Sequence, residues 1–350
     1  MKFFSKYKIP SVLLVMFFLA TSCEKEESIN VDYRENTILK IALKDPNLSI
    51  FVDALLATNL SEELVKKEPY TVFAPTNKAF EDFLVYSNYE TLKKVPVNLL
   101  KQLLLNHIMI GNVQSTSFNS GYVKTLATSS ISKNNTMSMY VDVTSGVNLN
   151  GVAKVTTPDI IASNGTIHIV DAIIDFPFIT THLKLNPNLK SMYDAILNNA
   201  DTDLFNRLAL PKFYEKDKQQ FFVAINPLTV FSPTNTAFTD LNFELAPSGG
   251  IAAVSVSNLN KILKYHSVSG NLFAANWIDN QILPSLILLP QPIPVPIPDP
   301  GPKYEEFTIQ LTGGAKIKDV KGRISTIKQT DIQCWNGVIH VVDKVLLPNL

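Results

Sequence analysis

Two histidine–aspartate pairs are the first residues in this chain whose types and spacing could do chemistry. His168 and Asp171 stand three apart in "NGTIHIVDAII" (residues 164–174), and His340 and Asp343 repeat the spacing in "NGVIHVVDKVLLP" (residues 336–348). An imidazole held by a carboxylate is a general base or half of a metal site, but only when the two groups lie within hydrogen-bond reach. Ile167, Ile169, Val170, Ile173 and Ile174 are β-branched and an Asn-Gly turn signal precedes them, so the stretch reads as a buried strand. Side chains on a strand alternate faces, so positions three apart point opposite ways. A helix would bring them together, but this composition opposes one. The expectation is structural: His168 and His340 packed, with their ring nitrogens satisfied by neighbours, and Asp171 and Asp343 placed away from them.

The remaining reactive residues give no better constellation. Of the five histidines, His107, His168, His182, His266 and His340, four pair up between the two halves of the chain, which suits a structural role in each. No Gly-x-Ser-x-Gly, His-Glu-x-x-His or glycine-rich phosphate loop is present. Neither His168 nor His340 has a second ligand at i+2 or i+4, and no calcium-loop pattern occurs. Two cysteines, Cys23 and Cys334, cannot build a disulfide framework or a zinc cluster. Cys334, in "IQCWNG", is expected as a small buried residue. These readings predict no enzyme, no cofactor and no metal.

The elements that must position these residues come in a repeated order. "DPNLSIFVDALL" from Asp45 matches "NPNLKSMYDAIL" from Asn186, an offset of 141. "YTVFAPTNKAF" from Tyr70 matches "LTVFSPTNTAF" from Leu228 at 158, His107 matches His266 at 159, and Asn164 matches Asn336 at 172. Four matches in one order mean two copies of one domain, each too long for a solenoid unit. The rising offset places one insertion around residues 207–226 and a second between His266 and Asn336. Each copy reads as an apolar helical run (Ile50, Val52, Ala54, Leu55, Leu56), a short strand ending in Pro-Thr-Asn, an amphipathic helix and closing strands. In the amphipathic helix Leu100, Leu103, Leu104 and His107, or Leu259, Ile262, Leu263 and His266, keep i, i+3, i+4, i+7 spacing. Helices against a mostly antiparallel sheet make the class α+β.

With 350 residues and 46% hydrophobic composition, two domains with real cores are expected. Residues 1–22 hold Lys2, Lys6 and Lys8 and no acid, leaving 28 basic and 31 acidic residues in the rest. A near-neutral, slightly acidic body argues against nucleic acid as a partner. "MKFFSKYK", the apolar "IPSVLLVMFFLA" and "ATSC" form a targeting segment whose apolar run is short for a bilayer span. The segment resembles a bacterial lipoprotein signal cleaved before Cys23, which would then carry the lipid. The acidic "CEKEES" that follows resembles the export signal of surface lipoproteins in Bacteroidetes. The expected division is a signal at 1–22, a tether at 23–36, one domain at 37–177 and a second at 178–350. The expected location is the outer membrane through a lipid anchor, exposed on the cell surface or held at the periplasmic face. Seven prolines from Pro290 to Pro302 mark a polyproline-rich insertion at 288–303. Its isoleucines and valines would either pack along their own domain or dock a partner.

The repeated segments resemble the fasciclin (FAS1) domain family. "TVFAPTNKAF" and "TVFSPTNTAF" resemble its first signature box, and the two Asn-Gly…His…Asp segments its second. His107 and Tyr265-His266 fall where the family has a Tyr-His motif, although Asn106 stands in place of the tyrosine in the first copy. The resemblance implies two tandem FAS1-like domains, each a wedge of β-strands with helices packed around it, and no shared catalytic site or cofactor. It also implies fold roles for the motif residues. Thr76 and Thr234, followed by Asn77 and Asn235, would cap helices, and Asn164 and Asn336 would shape the turn into the closing strand. By the same resemblance the chain would be a secreted or surface-bound module for adhesion, with extracellular matrix, a cell-surface protein or a polysaccharide as partner. An integrin-binding role linked to the Tyr-His region of animal members does not transfer to a bacterial lipoprotein. The alternative function is an accessory glycan-binding lipoprotein of an outer-membrane polysaccharide-uptake system.

Overall fold

The computed structural model describes residues 36–65, 68–129, 131–209, 226–291 and 301–350. The signal, Cys23, nearly all of the tether, residues 292–300 of the proline-rich insertion and most of the insertion near 207–226 lie outside the described residues.

The first domain runs α1 (Ile38–Lys44), α2 (Ser49–Ala57), β1 (Tyr70–Pro75), α3 (Asn77–Tyr86), α4 (Val97–Leu105), β2 (Ile108–Ile110), β3 (Gly121–Ser129), β4 (Ser132–Asp142), β5 (Asn148–Leu149), β6 (Ala153–Ala162) and β7 (Gly165–Val170). The second repeats the plan with α5 (Ile179–Leu185), α6 (Lys190–Asn199), α7 (Thr202–Leu208), β8 (Leu228–Pro233), α8 (Asn235–Glu244), α9 (Val256–Tyr265), β9 (Ser267–Ser269), β10 (Ile282–Leu288), β11 (Tyr304–Gln310), β12 (Lys316–Lys318), β13 (Ile324–Cys334) and β14 (Gly337–Val342). Strand order in the first is β2-β1-β7-β6-β5-β4-β3, and in the second β10-β11-β12-β13-β14-β8-β9, closed into a barrel by β9 on β10.

All pairs are antiparallel except one in each domain. Tyr70–Pro75 runs parallel to Gly165–Val170, and Leu228–Pro233 to Gly337–Val342, in the same register. Both partners of each pair are buried along their whole length. That explains their unbroken apolar sequences, as expected of a parallel pair covered on both sides. Gly165 and Gly337 make the close approach possible: a Cβ there would lie 1.9 Å from the Tyr70 carbonyl oxygen and 2.0 Å from that of Leu228.

The helices pack over this central pair. Phe51, Leu55, Phe80, Leu100, Leu103 and Leu104 fill one core with Val72 and Ile167. Leu183, Met192, Ile196, Leu204 and Leu263 do the same over Val230 and Ile339. The described ends of the proline-rich insertion form a hairpin base, with Leu288 opposite Tyr304 and the Leu289 amide donating to the Lys303 carbonyl at 2.8 Å. Among the described residues no helix is long and apolar enough to cross a membrane.

Candidate functional site

The motif side chains are fastened inside each domain, and most of them make matching bonds in both copies. The Thr76 hydroxyl caps α3 by accepting from the Ala79 amide at 3.2 Å, and Thr234 does so for α8 through Ala237, also at 3.2 Å. The next residue reaches away from its own helix. Asn77 accepts from the Ile50 amide at 2.9 Å and donates to the Pro46 carbonyl at 2.9 Å. Asn235 accepts from Ser191 at 2.9 Å and donates to Pro187 at 2.7 Å. Each asparagine thereby ties the strand–helix junction to the start of an earlier helix.

Helical periodicity runs through His107, but α4 ends at Leu105, and α9 ends at Tyr265 just before His266. The ring braces the end of the helix. His107 Nδ1–H donates to the Leu103 carbonyl at 2.7 Å, occupying an acceptor of the last turn, while Nε2 accepts from the Ile174 amide at 2.9 Å. His266 bonds Ile262 at 2.8 Å and Leu346 at 2.9 Å in the same way. Burial pushes both imidazoles down to about 4. Beside them, buried Asn106 donates to the carbonyls of Ile174 and Asp175, at 3.0 and 3.2 Å. Tyr265, fully buried, donates its hydroxyl to the Glu306 carbonyl at 2.8 Å and accepts from the Val320 amide at 3.0 Å. The Tyr-His motif of the second domain is therefore an internal brace.

Asn164 and Asn336 do more than shape a turn, which is the work of the adjoining glycines. Asn164 accepts from the Ile38 amide at 2.9 Å and donates to the Leu64 carbonyl at 2.6 Å. Asn336 accepts from Ile179 at 2.9 Å and donates to Arg207 and Leu208 at 2.9 and 3.0 Å. Each clamps the first helix of its domain to the closing strand.

The carboxylate near each packed histidine is not the one three residues on. His168 Nδ1 accepts from the Asp159 amide at 3.1 Å, Nε2–H donates to the Val113 carbonyl at 3.0 Å, and the ring stacks on Phe73 at 5.5 Å. His340 repeats this with Asp331 at 3.2 Å, Leu272 at 2.8 Å and Phe231 at 5.3 Å. Asp159 and Asp331 carboxylates stand 3.9 and 4.0 Å from Nδ1. Because Nδ1 accepts from a backbone amide, it cannot hand a proton to the carboxylate, and the triad arrangement fails on tautomer as well as burial. Burial lowers both ring pKa values, that of His340 to about 4. The carboxylates bind backbone instead: Asp159 accepts from Ser115 N at 2.7 Å, and Asp331 from Ala274 N at 2.9 Å. Asp171 and Asp343 lie just past the strand ends and accept from the Lys154 and Thr326 amides, both at 2.7 Å.

Asp159 and Asp331 belong to neither signature box, yet they share the offset of 172 with the closing box, so the repeat carries their signal. Both sit at positive φ, 63° and 61°, in β-bulges facing the histidine. Among the described residues no group of three or more His, Cys, Asp or Glu could hold a metal ion. Cys334 is buried and free, its thiol pushed up by burial.

One region has no duplicate: the seam between the domains. Trp335 of the second domain belongs to the first domain's core, stacked 4.2 Å from Phe176, with its amide donating to the Pro177 carbonyl at 2.7 Å. Tyr122 of the first domain packs on the second domain's core and meets His182 edge-on at 5.0 Å. His182 Nε2–H donates to the Ser138 carbonyl at 3.0 Å, and the Ser138 hydroxyl accepts from Gln333 N at 3.1 Å and Lys124 Nζ at 3.0 Å. Lys124 also donates to the Asp331 carbonyl at 2.8 Å. Along the same boundary lies an open cleft of about 240 Å³, walled by the turn Asn150–Val152 and by α5, α6 and α7.

The sequence pattern of the fasciclin domain matches residues 46–176 and 201–348. Protein sll1483 of Synechocystis sp. is 31% identical over 138 residues, covering 39% of this chain and 72% of that protein. Human periostin is 23% identical over 296 residues, covering 84% of this chain and 30% of periostin, and Fasciclin-1 of Schistocerca americana is 22% identical over 300 residues, covering 81% and 40%. The chain thus spans less than half of either animal relative. A solved FAS1 domain pair from the insect cell adhesion molecule fasciclin I aligns over 86% of this chain and 97% of that one, at 17% identity and a TM-score of 0.46. With its signature boxes present twice and each built into the same internal network, the chain belongs to the fasciclin domain family, as two tandem FAS1 domains of mixed α and β structure.

Proposed function

We propose that this chain is a non-catalytic, surface-anchored lipoprotein that mediates cell–matrix or cell–cell contact through its tandem FAS1 domains. The observation that supports this best is the state of the motif residues. His107, His168, His266, His340, Asn164, Asn336 and Tyr265 all spend their polar groups on internal bonds, mostly to backbone, and are almost wholly buried. Groups so buried and so bonded serve the fold, and recognition falls to the surface and the domain boundary. The lipid on Cys23 would hold the pair at the outer membrane, facing outward. A second reading, an accessory glycan-binding subunit of a polysaccharide-uptake system, is favoured by the aromatic cleft between the domains.

Two experiments test these readings. Cys23→Ala should move the protein from the membrane fraction to the soluble one, and protease added to intact cells should cut the anchored form. The soluble body, residues 24–350, should bind matrix proteins or whole cells saturably. Binding to glycans alone would replace the adhesion reading with the uptake reading, and a protein unaffected by Cys23→Ala would remove the anchor.

A further inference from the structure

We infer that the cleft between the two domains is a binding site for an acidic sugar, with Lys184 taking the carboxylate and the rings of Tyr193 and Phe205 taking the apolar face of the pyranose. This inference rests on the surface-binding reading above and gives it a location and a ligand class.

The walls are tied together by their own bonds. The Asn150–Gly151 turn is fixed by Asn150, which accepts from Tyr140 N at 2.8 Å and donates to the Asp175 carbonyl at 3.4 Å. Gly151, at φ 64°, lies so close to α5 that a Cβ would fall 2.4 Å from the Leu185 side chain. On the other wall, Thr180 ties α5 to the end of α7 through the Leu208 carbonyl at 3.4 Å. A preformed cleft at a domain boundary, apolar with a few polar groups at its rim, is the ordinary form of a small-ligand site.

The lining also selects a charge. Among the described residues it holds one cation, Lys184, and no acid. Lys184 is exposed, and among the described residues no acid pairs with it. Rings with threonine hydroxyls beside them suit a molecule with an apolar face and a hydroxylated rim, since aromatic surfaces bury such faces and leave polar edges wet. The cleft opens broadly to solvent, which suits a ring lying in it and not an acyl chain, which needs enclosure. Its residues come from both domains and none is a motif residue, so the site exists only in the tandem pair.

The test is calorimetric titration of the soluble body, residues 24–350, with an α-1,4-linked galacturonate tetramer, a neutral glucan tetramer and octanoate. The expected result is saturable binding of the galacturonate alone, weakened about tenfold by Lys184→Glu, as loss of a charge-assisted contact implies. Tyr193→Ala should weaken it further. Val152→Trp, at a half-exposed position on the rim, should abolish it by filling the cleft while leaving the fold intact by circular dichroism. Equal binding of the neutral glucan, binding of octanoate instead, unchanged affinity in all three variants, or silence from the galacturonate would each overturn the assignment. In the last case, retained binding to cells or matrix proteins would leave the adhesion reading standing, so the two failures are distinguishable.

Discussion

The duplicated networks and the unduplicated seam differ in what they bond to. Within each domain, His107 and His266, His168 and His340, and Asn164 and Asn336 reach mainly for backbone amides and carbonyls. Backbone partners do not depend on neighbouring side chains, so the arrangement could be copied whole and survive drift elsewhere. The seam depends on particular side chains: Trp335 on Phe176, Tyr122 against His182, and Lys124 with Gln333 on one serine hydroxyl. Repetition marks what the fold requires, and its absence marks what this pairing of domains requires.

The comparison breaks first at the glycines. Gly165→Ala and Gly337→Ala each drive a Cβ into a backbone oxygen of the neighbouring parallel strand. Each should cost more than about 4 kcal/mol, the range of severe core lesions, and leave the affected domain unfolded. Urea denaturation of the soluble body followed by circular dichroism checks this. A copy that tolerated alanine would show that the two closing strands are not equivalent.

Trp335→Ala probes the seam instead. Removing a buried indole costs about 3–5 kcal/mol, and here the loss falls on the first domain's core although the residue belongs to the second. The expected outcome in calorimetry is a lower melting temperature and the splitting of one transition into two, as the domains uncouple. A single transition retained at lower temperature would mean that Tyr122 and Lys124 suffice to couple them.

These two effects were unequally legible in the sequence. The repeat offsets set out the two domains and the capping threonines, because local patterns and copies reinforce each other. The parallel pairing of Tyr70–Pro75 with Gly165–Val170 joins segments about ninety residues apart and has no local signature beyond unbroken apolarity. The true histidine neighbours, Asp159 and Asp331, sit across a β-bulge, where spacing along the chain says nothing about distance. Trp335 reads as a residue beside its own core strand, and nothing in sequence reveals that it crosses into the other domain. Single-copy contacts between domains have neither period nor repeat to give them away.

The copies should also answer alike to acid. His107, His266 and His340 are pushed down to about 4 and His182 to about 3, all by burial, against about 6.5 when unfolded. Between those values the unfolded chain binds more protons, so stability is full above about pH 6.5 and falls as pH drops towards 4. Asp175 opposes this: burial raises it to about 6, so the folded state holds its proton first and gains below that pH. Four groups outweigh one, and the urea midpoint should fall steadily from pH 7 to pH 4.5. His107→Gln and His266→Gln should each remove up to about 1.4 kcal/mol per pH unit from that slope. Unequal losses would show that the two matched histidines sit in unlike surroundings.

The smallest effect concerns Lys124, the only charged side chain among the seam bonds described above. Its ammonium donates to the Ser138 hydroxyl of its own domain and to the Asp331 carbonyl of the other, and burial lowers its pKa. The site is partly open, so water replaces some of what Lys124→Met removes, and the cost should be about 1 kcal/mol. A methionine keeps most of the stem's packing, which isolates the polar contribution. The same substitution relieves the positive charge that helps to hold His182 down. Lys124→Met should therefore raise the His182 pKa, measured by imidazole proton shifts, while leaving His107 and His266 unmoved. A His182 that did not move would break the link between the two seam residues; a shift at His266 as well would mean that the second domain had rearranged.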